Sequence, residues 1–288
     1  MTGKRVLFAT FGSLGDLYPY LALASEMQRR GHRATIVTSA QHRVRIEQHG
    51  IRFRQAAPNQ DFNDRTFQQL AMREMNGGQY LLRDNFLPKI RASYENLLDA
   101  STDADLLVTQ MLAYAGLLVA EKASLPWVST VLAPLSFFSY EDSPVLASRL
   151  NAVRESFPRL NALINRVARS TTQSWNERVY RLRRELGLGR GAEPIYDGQH
   201  SPECVLALFS SVLAQVRNDW PRQTIITGFP FLAETGSDAK VPPALDEFLA
   251  AGPAPVVFTL RGAESRAILC REPEGGAKSG RAGRYAGR

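Results

Sequence analysis

Apolar and polar positions at the start of the chain change from a strand period to a helix period. Residues 5–10 (RVLFAT) form a short β-branched and aromatic run, and a glycine-containing loop follows at residues 11–16. Residues 17–30 then carry apolar side chains at helical spacing, and Gly31 is well placed to end that helix. Residues 33–38 (RATIVT) read as a second strand. The pattern therefore predicts a βαβ unit.

The same alternation of strands and helices continues along the chain. It is typical of the α/β class, in which a Rossmann-like parallel sheet is flanked by helices and joined by right-handed crossovers. The pattern predicts helices at residues 43–49, 79–100 and 113–123, a polar loop at 58–64, and strands at 51–54, 104–109, 127–132, 204–209 and 223–227.

A helical, arginine-rich insertion at about residues 145–190 interrupts this rhythm. We predict a first domain at residues 1–228 and an interdomain linker at 229–254. Residues 255–260 would be the first strand of a second domain, whose remainder is essentially missing. Residues 261–288 are rich in glycine, arginine and alanine. Because they offer too little apolar surface to offset their ordering entropy, we expect them to be disordered.

Composition excludes several classes of protein. The chain is 44% hydrophobic and 22% charged, which fits a soluble globular protein. It lacks both a run of about 20 apolar residues and a signal peptide, so we expect a cytoplasmic location. Cys204 and Cys270 lie far apart, and the four histidines show no metal-site spacing. We therefore expect no metal.

The net charge of +7 is concentrated in the helical insertion and in residues 261–288. Basic amphipathic helices can lie on anionic membranes, so a peripheral contact with the inner face of the membrane stays open. The alternative is a solvated helical face, which we favour because polar residues interrupt the apolar face. No recognition motif accompanies the charge, so nucleic acid is not an expected partner.

The loop after the first strand, residues 12–16 (GSLGD), precedes a helix N-terminus, where backbone amides and the helix dipole favour anionic groups. It does not match the dinucleotide fingerprint GxGxxG, and the second strand ends at Thr38-Ser39 instead of an acidic residue. The Walker pattern is also absent. An unrelated α/β enzyme that binds a nucleotide at this loop is therefore disfavoured.

A longer string, residues 11–39 (FGSLGDLYPYLALASEMQRRGHRATIVTS), resembles the GT-B glycosyltransferases. The resemblance is to the branch with a glycosyltransferase family 28 N-terminal domain, which includes sterol glucosyltransferases, glycopeptide glycosyltransferases and rhamnosyltransferases. Residues 47–58 and 219–231 are similar to further blocks of that branch. The resemblance implies that a Rossmann-like N-terminal domain binds the acceptor and a C-terminal domain binds the nucleotide-sugar.

The resemblance also implies a reaction. A hexose passes with inversion from a nucleoside diphosphate sugar, such as a UDP- or dTDP-sugar, to a hydroxyl of a lipid or natural-product-like small molecule. No metal or other cofactor is implied. Asp16 occupies the family's general-base position. On the residues alone Asp16 also reads as a helix N-cap, and the two roles can coexist.

Other residues of the loop and of a later strand end are candidates for substrate binding. Gly12, Ser13 and Gly15 are expected to shape the loop, with a tight turn as the simpler interpretation. Aromatic residues follow the strand at 127–132, at the edge where open α/β sheets bind ligands. They are predicted to line an apolar acceptor pocket, with plain packing as the alternative: Phe137, Phe138 and Tyr140. His32, the nearest histidine in the sequence, is expected to be structural.

The chain departs from its relatives after residue 260, where a donor domain would continue. Residues 261–288, read one nucleotide later with suitable codons, can spell a family-like loop, helix and strand, so we expect a frameshift and a chain truncated before the donor domain. Such a chain would transfer sugar poorly or not at all on its own, and a nucleotide-sugar would bind only if a donor domain is supplied. The alternative is a non-catalytic acceptor-binding module or partner subunit.

Overall fold

The computed structural model describes residues 3–73, 76–141, 158–232 and 243–251. The chain divides into two units, residues 1–233 and 234–288. The first unit is a parallel sheet flanked by helices, which confirms the predicted α/β class. In the second unit the structure describes residues 243–251, which form one helix at Pro243–Ala250. The predicted strand at 255–260 and the predicted tail at 261–288 lie outside the described residues.

The sheet of the first unit has seven parallel strands in the order β3-β2-β1-β4-β5-β6-β7. From β1 the chain moves outward through β2 and β3, and it then returns to the other side of β1 with β4. The strand order therefore reverses between β1 and β4, and open α/β sheets bind ligands at the carboxyl ends of such neighbouring strands. The strands are β1 Arg5–Ala9, β2 Arg33–Thr38, β3 Arg52–Gln55, β4 Leu106–Gln110, β5 Trp127–Val131, β6 Val205–Ala207 and β7 Thr224–Ile226.

Helices cover both faces of this sheet. The long helix expected at residues 79–100 is divided into a π-helix at Tyr80–Phe86, a 3-10 turn at Leu87–Lys89 and an α-helix. Pro88 lacks an N–H group, which accounts for a break at this point. A short α-helical turn, Gly77–Gln79, precedes the π-helix. The longer α-helices in the described part of the unit are α1 Leu14–Arg29, α2 Arg43–Gln48, α3 Arg65–Ala71, α4 Ile90–Ser101, α5 Ala115–Ala123, α6 Pro158–Thr172 and α7 Glu177–Glu185.

Alternate residues of the central strands enter two different cores. Phe8 of β1 packs in the core beneath α1. Leu7 of β1 and Leu107 of β4 pack in the core beneath α4 and α5. Successive side chains of a strand point to opposite faces, so a parallel strand covered on both sides is apolar throughout. This explains why the strands appear in the sequence as short continuous apolar runs.

The predicted helical insertion is present as α6 and α7, and residues 142–157 lie outside the described residues. Val179 and Leu182 of α7 are buried in the same core as β4 and α5. On the same helix, Arg183 is 3% exposed and makes a two-pronged ion pair with Glu121 of α5. The insertion is therefore packed onto the sheet domain through both apolar and ionic contacts.

Candidate functional site

The loop at residues 10–13 leaves the carboxyl end of β1, next to the carboxyl end of β4. Ala9 lies opposite Thr109 in the sheet register, so the residues that follow each strand share one edge. α1 packs on one face of the sheet and α5 on the other. We call the space between the two loops the crevice, since open α/β sheets bind ligands at such a reversal of strand order. This geometry joins two side chains that are 94 positions apart, since Gln110 Nε2 donates a hydrogen bond to Asp16 Oδ1 at 3.1 Å.

Asp16 is the third residue of α1, and the N-cap is Ser13. The backbone N–H of Ser13 donates to Asp16 Oδ2 at 2.8 Å, and the Ser13 hydroxyl lies 3.1 Å from the same oxygen. Asp16 thus caps the helix from the third position, as in a capping box, and does not occupy the N-cap itself. A carboxylate here also interacts favourably with the helix dipole.

Gly12 is buried and has a φ of +143°, a region that side chains other than glycine rarely adopt. A Cβ atom at this position would lie 2.2 Å from Asp16 Oδ2. Glycine is therefore required at residue 12 if the Asp16 carboxylate is to stay where it is. Gly15 lies in the first turn of α1 and is exposed.

The carbonyl of Gly12 contacts a histidine that no sequence pattern had singled out. His42, buried just before α2, places Nε2 2.9 Å from Gly12 O. Gln41 Nε2 lies 3.5 Å from the same oxygen. His32, in contrast, accepts a hydrogen bond at Nδ1 from the backbone N–H of Lys4, at the opposite edge of the sheet. His42 is 30 positions from Gly12, so only the fold brings the two residues together.

One helical turn after Asp16, Tyr20 fixes α1 to the central strands. Its hydroxyl is hydrogen-bonded to Thr130 Oγ1, and Thr130 in turn donates to Thr109 O at 3.0 Å. Burial raises the pKa of Tyr20 above its usual range, so this phenol stays neutral. The chain of hydrogen bonds ties the start of α1 to both β4 and β5.

The three aromatic residues predicted to line an acceptor pocket lie in different surroundings. Phe137 is 7% exposed and stacks on Trp220 with ring centroids 4.0 Å apart. Phe138 packs edge-to-face on Tyr196 at 5.0 Å, and Tyr140 is 46% exposed. The buried ring of Phe137 therefore fits plain packing, which was the alternative to lining a pocket. The role of all three in acceptor binding stays a prediction.

Asp219 anchors the loop that carries these rings, and sequence reasoning did not select it. Its carboxylate accepts hydrogen bonds from the Ser139 hydroxyl at 2.9 Å and from the backbone N–H of Tyr140 at 2.7 Å. Asp219 begins the 219–231 block that resembles the glycosyltransferases. Asp219, the first residue of that block, therefore positions the loop with Ser139 and Tyr140 at the carboxyl edge of β5.

We searched the described residues for clusters of side chains that could bind a metal ion. Among the described residues, no group of three or more His, Cys, Asp or Glu side chains has an arrangement that could hold a metal ion. Within the same residues, no helix has the length and apolar character needed to cross a membrane.

The sheet with its loop at the strand reversal is a Rossmann-like domain, and its fold is that of GT-B glycosyltransferases. The spinosyn forosaminyltransferase SpnP matches with a TM-score of 0.54 and 16% identity over 93% of this chain and 61% of its own. The glycotransferase of kitacinnamycin matches with a TM-score of 0.53 and 17% identity over 83% of this chain and 54% of its own. At these identities the likeness shows the fold.

Residues 6–136 match the glycosyltransferase family 28 N-terminal domain. O-mycaminosyltylonolide 6-deoxyallosyltransferase of Streptomyces fradiae is 27% identical, over 94% of this chain and 69% of its own length. Sterol 3-beta-glucosyltransferase of Leptosphaeria maculans is 26% identical, over 83% of this chain and 16% of its own. The resemblance seen in the sequence is confirmed, and it supports a glycosyltransferase by family resemblance. It spans about one sixth of the sterol enzyme.

Proposed function

We propose that the first unit is the acceptor-binding domain of an inverting glycosyltransferase with Asp16 as its general base. The enzyme would transfer a hexose from a nucleoside diphosphate sugar to a hydroxyl of a lipid or natural-product-like acceptor. One observation carries the proposal. The Asp16 carboxylate lies at the reversal of strand order and is held there by Ser13 and Gln110 from two different elements.

The chemistry requires a base at this edge. As the acceptor oxygen attacks the anomeric carbon, the new C–O bond forms, the bond from that carbon to the diphosphate oxygen breaks, and the hydroxyl proton passes to the carboxylate. A single displacement of this kind inverts the anomeric centre. The diphosphate leaves with the electron pair and would be stabilised by donors from a donor domain that binds the UDP- or dTDP-sugar.

Exposed apolar side chains near the carboxyl edge support a hydrophobic acceptor. Val212, Leu213 and Val216 follow β6 on the same side of the sheet and are all exposed. Apolar patches on a domain surface commonly mark binding sites. The two relatives described above are named for a macrolide and a sterol acceptor, which are both hydrophobic and hydroxylated.

A peripheral contact with the inner face of the cytoplasmic membrane is a second part of the proposal. Leu163 and Val167 lie one turn apart on α6 and are exposed, and Arg166 between them is exposed as well. Apolar and basic side chains on one helix suit an anionic lipid surface. Co-sedimentation with anionic vesicles, lost in Leu163→Asp but kept with Leu245→Asp on the other unit's helix, would support this contact. Equal sedimentation of both variants would contradict it.

The experiment that tests the base compares Asp16→Asn with the unmodified sequence, each joined to a donor domain, because the chain on its own is expected to transfer sugar poorly or not at all. A panel of hydroxylated hydrophobic acceptors is incubated with nucleoside diphosphate hexoses, and acceptor binding is measured separately by calorimetry. We expect Asp16→Asn to bind acceptor normally and to lose about 10²- to 10⁴-fold in kcat. Asp103→Asn is the matched control, since Asp103 lies at the opposite edge of the sheet and is exposed.

Two results would count against the proposal. Full turnover by Asp16→Asn would exclude Asp16 as the base. Acceptor binding without any turnover, even with a donor domain supplied, would instead favour a non-catalytic acceptor-binding module.

A further inference from the structure

We propose that Gln110 is the positioning residue for the Asp16 carboxylate, an inference that rests on the proposed function. Gln110 is the last residue of β4 and is 4% exposed. Its side chain crosses from β4 to the loop after β1, where it contacts both the backbone of the loop and the carboxylate of α1.

The orientation of the Gln110 amide is determined by its neighbours. Its Oε1 accepts a hydrogen bond from the backbone N–H of Phe11 at 3.4 Å and another from Leu112 at 3.2 Å. The reversed amide would direct its NH₂ group at two N–H donors and its carbonyl oxygen at a carboxylate. Both contacts would then be repulsive. The NH₂ group must therefore face Asp16.

This arrangement makes the donor rigid. One end of the amide is fixed by backbone groups on both sides of the crevice, and the other end donates to Asp16 Oδ1. Ser13 donates to the second oxygen, Oδ2. A carboxylate with donors on both oxygens has a defined rotation about its terminal bond, which sets the direction from which it can accept a proton.

The donor also favours the ionised form of the carboxylate, which is the form a general base requires. Among the described residues, the titratable side chains of Tyr20 and His42 lie near this loop. Tyr20 is buried and neutral, and its hydroxyl is hydrogen-bonded to Thr130. His42 is hydrogen-bonded to the Gly12 carbonyl. Among the described contacts of the carboxylate, Gln110 is the donor contributed by a different strand, so it couples the base to the opposite side of the crevice.

Gln110→Glu separates the role of Gln110 as a donor to Asp16 from its role in holding the loop backbone. The replacement has the same size and keeps an oxygen for the N–H groups of Phe11 and Leu112, but it puts an oxygen in place of the donor that faces Asp16. Gln28→Glu is the matched control for the change in charge. Gln28 lies at the opposite edge of the sheet, where its Nε2 donates to Gly50 O. Gln110→Met, which removes the donor without adding a charge, serves if Gln110→Glu does not fold.

The readout is the titration of the Asp16 carboxyl carbon by ¹³C NMR, assigned from its absence in Asp16→Asn. We expect Gln110→Glu to move the midpoint upward by at least about 1 to 2 pH units, because it removes a hydrogen bond to the ionised carboxylate and adds a like charge beside it, whereas Gln110→Met shows the effect of the lost hydrogen bond alone. The acid limb of kcat/KM for transfer should move by the same amount, with KM for the acceptor unchanged. Gln28→Glu should move neither.

An unchanged Asp16 midpoint in a folded Gln110 variant would overturn the proposal. It would also be overturned if the acid limb stayed in place while Asp16→Asn abolished transfer. The proposed function fails separately, when Asp16→Asn keeps its turnover. The NMR titration would still decide in that case whether Gln110 acts on Asp16.

Discussion

A Cβ atom on Gly12 would lie 2.2 Å from Oδ2 of Asp16, far inside van der Waals contact. The absence of a side chain at residue 12 and the position of the carboxylate at residue 16 are therefore one structural feature. The positive φ of Gly12 turns the chain from β1 into α1, and the space above it is filled by Asp16. The loop glycine is thus required by the candidate base, in addition to any role toward a ligand.

Gly12→Ala should displace the Asp16 carboxylate and reduce transfer to the level of Asp16→Asn. It should also destabilise the fold by more than about 1 kcal/mol, because alanine is strained at this φ. Urea unfolding and the transfer assay check both effects.

Gly31→Ala is the control for this substitution. Gly31 also has a positive φ, +83°, but a Cβ there meets nothing within 4 Å. It should therefore lose stability and keep function. Normal transfer by Gly12→Ala would show that the position of Asp16 does not matter to the reaction.

Phe137→Ala should cost about 3 kcal/mol of unfolding free energy, because its buried ring stacks on Trp220 and leaves a cavity when removed. Tyr140→Ala, in the same loop but largely exposed, should leave stability nearly unchanged. Urea denaturation of both variants measures the difference. A Phe137→Ala protein that is stable yet has lost acceptor binding would instead give the ring the pocket role predicted from the sequence.

Arg183 and Arg184 are adjacent arginines of α7 with opposite environments. Arg183 is 3% exposed and pairs with Glu121, whereas Arg184 is 64% exposed and pairs with Glu177. Arg183→Ala should cost about 1.5 to 3 kcal/mol, because it removes charged hydrogen bonds to Glu121 and the packing of a buried side chain, and Arg184→Ala should have little effect. Thermal unfolding distinguishes them. Equal effects would mean that the insertion is not attached to the sheet through the Arg183–Glu121 pair.

His200 should make the fold less stable in mild acid. Burial lowers its pKa to about 4, against an opposing effect of Asp197, whereas an unfolded histidine titrates near 6.5. Between these values the unfolded chain binds the additional proton, so stability is complete above pH ~6.5 and falls by about 2 to 3 kcal/mol as the pH approaches 4.

Urea midpoints measured at pH 7.0, 5.5 and 4.5 for the unmodified chain and for His200→Gln test this dependence. The variant should lose this part of the pH dependence. Parallel pH profiles for the two proteins would show that His200 does not contribute to it.

Much of the sheet was predictable because its strands are buried on both faces and so form short apolar runs. Strand β2 was predicted to the residue, and β5 to within one residue. The break at Pro88 and the helix α3 were missed. The break occurs because Pro88 lacks an N–H group, although the apolar spacing around it is helical. Helix α3 lies in a polar stretch without an apolar pattern, and its first turn is capped by Asp64.

The site was predictable only where it is local in sequence. Gly12, Ser13 and Asp16 lie within five positions, so a single loop contains them. Gln110 and His42 reach the same loop through the strand order and were not selected, since a buried polar residue at a strand end has no periodic signal. Phe137 was selected because it follows β5 at the carboxyl edge of the sheet, but its side chain is buried there. Its place in the sequence therefore did not predict its exposure.

The central claim is that the crevice between β1 and β4 is the acceptor site, and hydrogen exchange of the full chain with and without acceptor tests it most directly. A sterol or macrolide bearing a free hydroxyl is the probe, and a nucleoside diphosphate is the comparison. The account predicts that the acceptor slows exchange at residues 12–16 and 110–114. Protection confined to other segments, or protection of residues 12–16 by the nucleoside diphosphate alone, would contradict it.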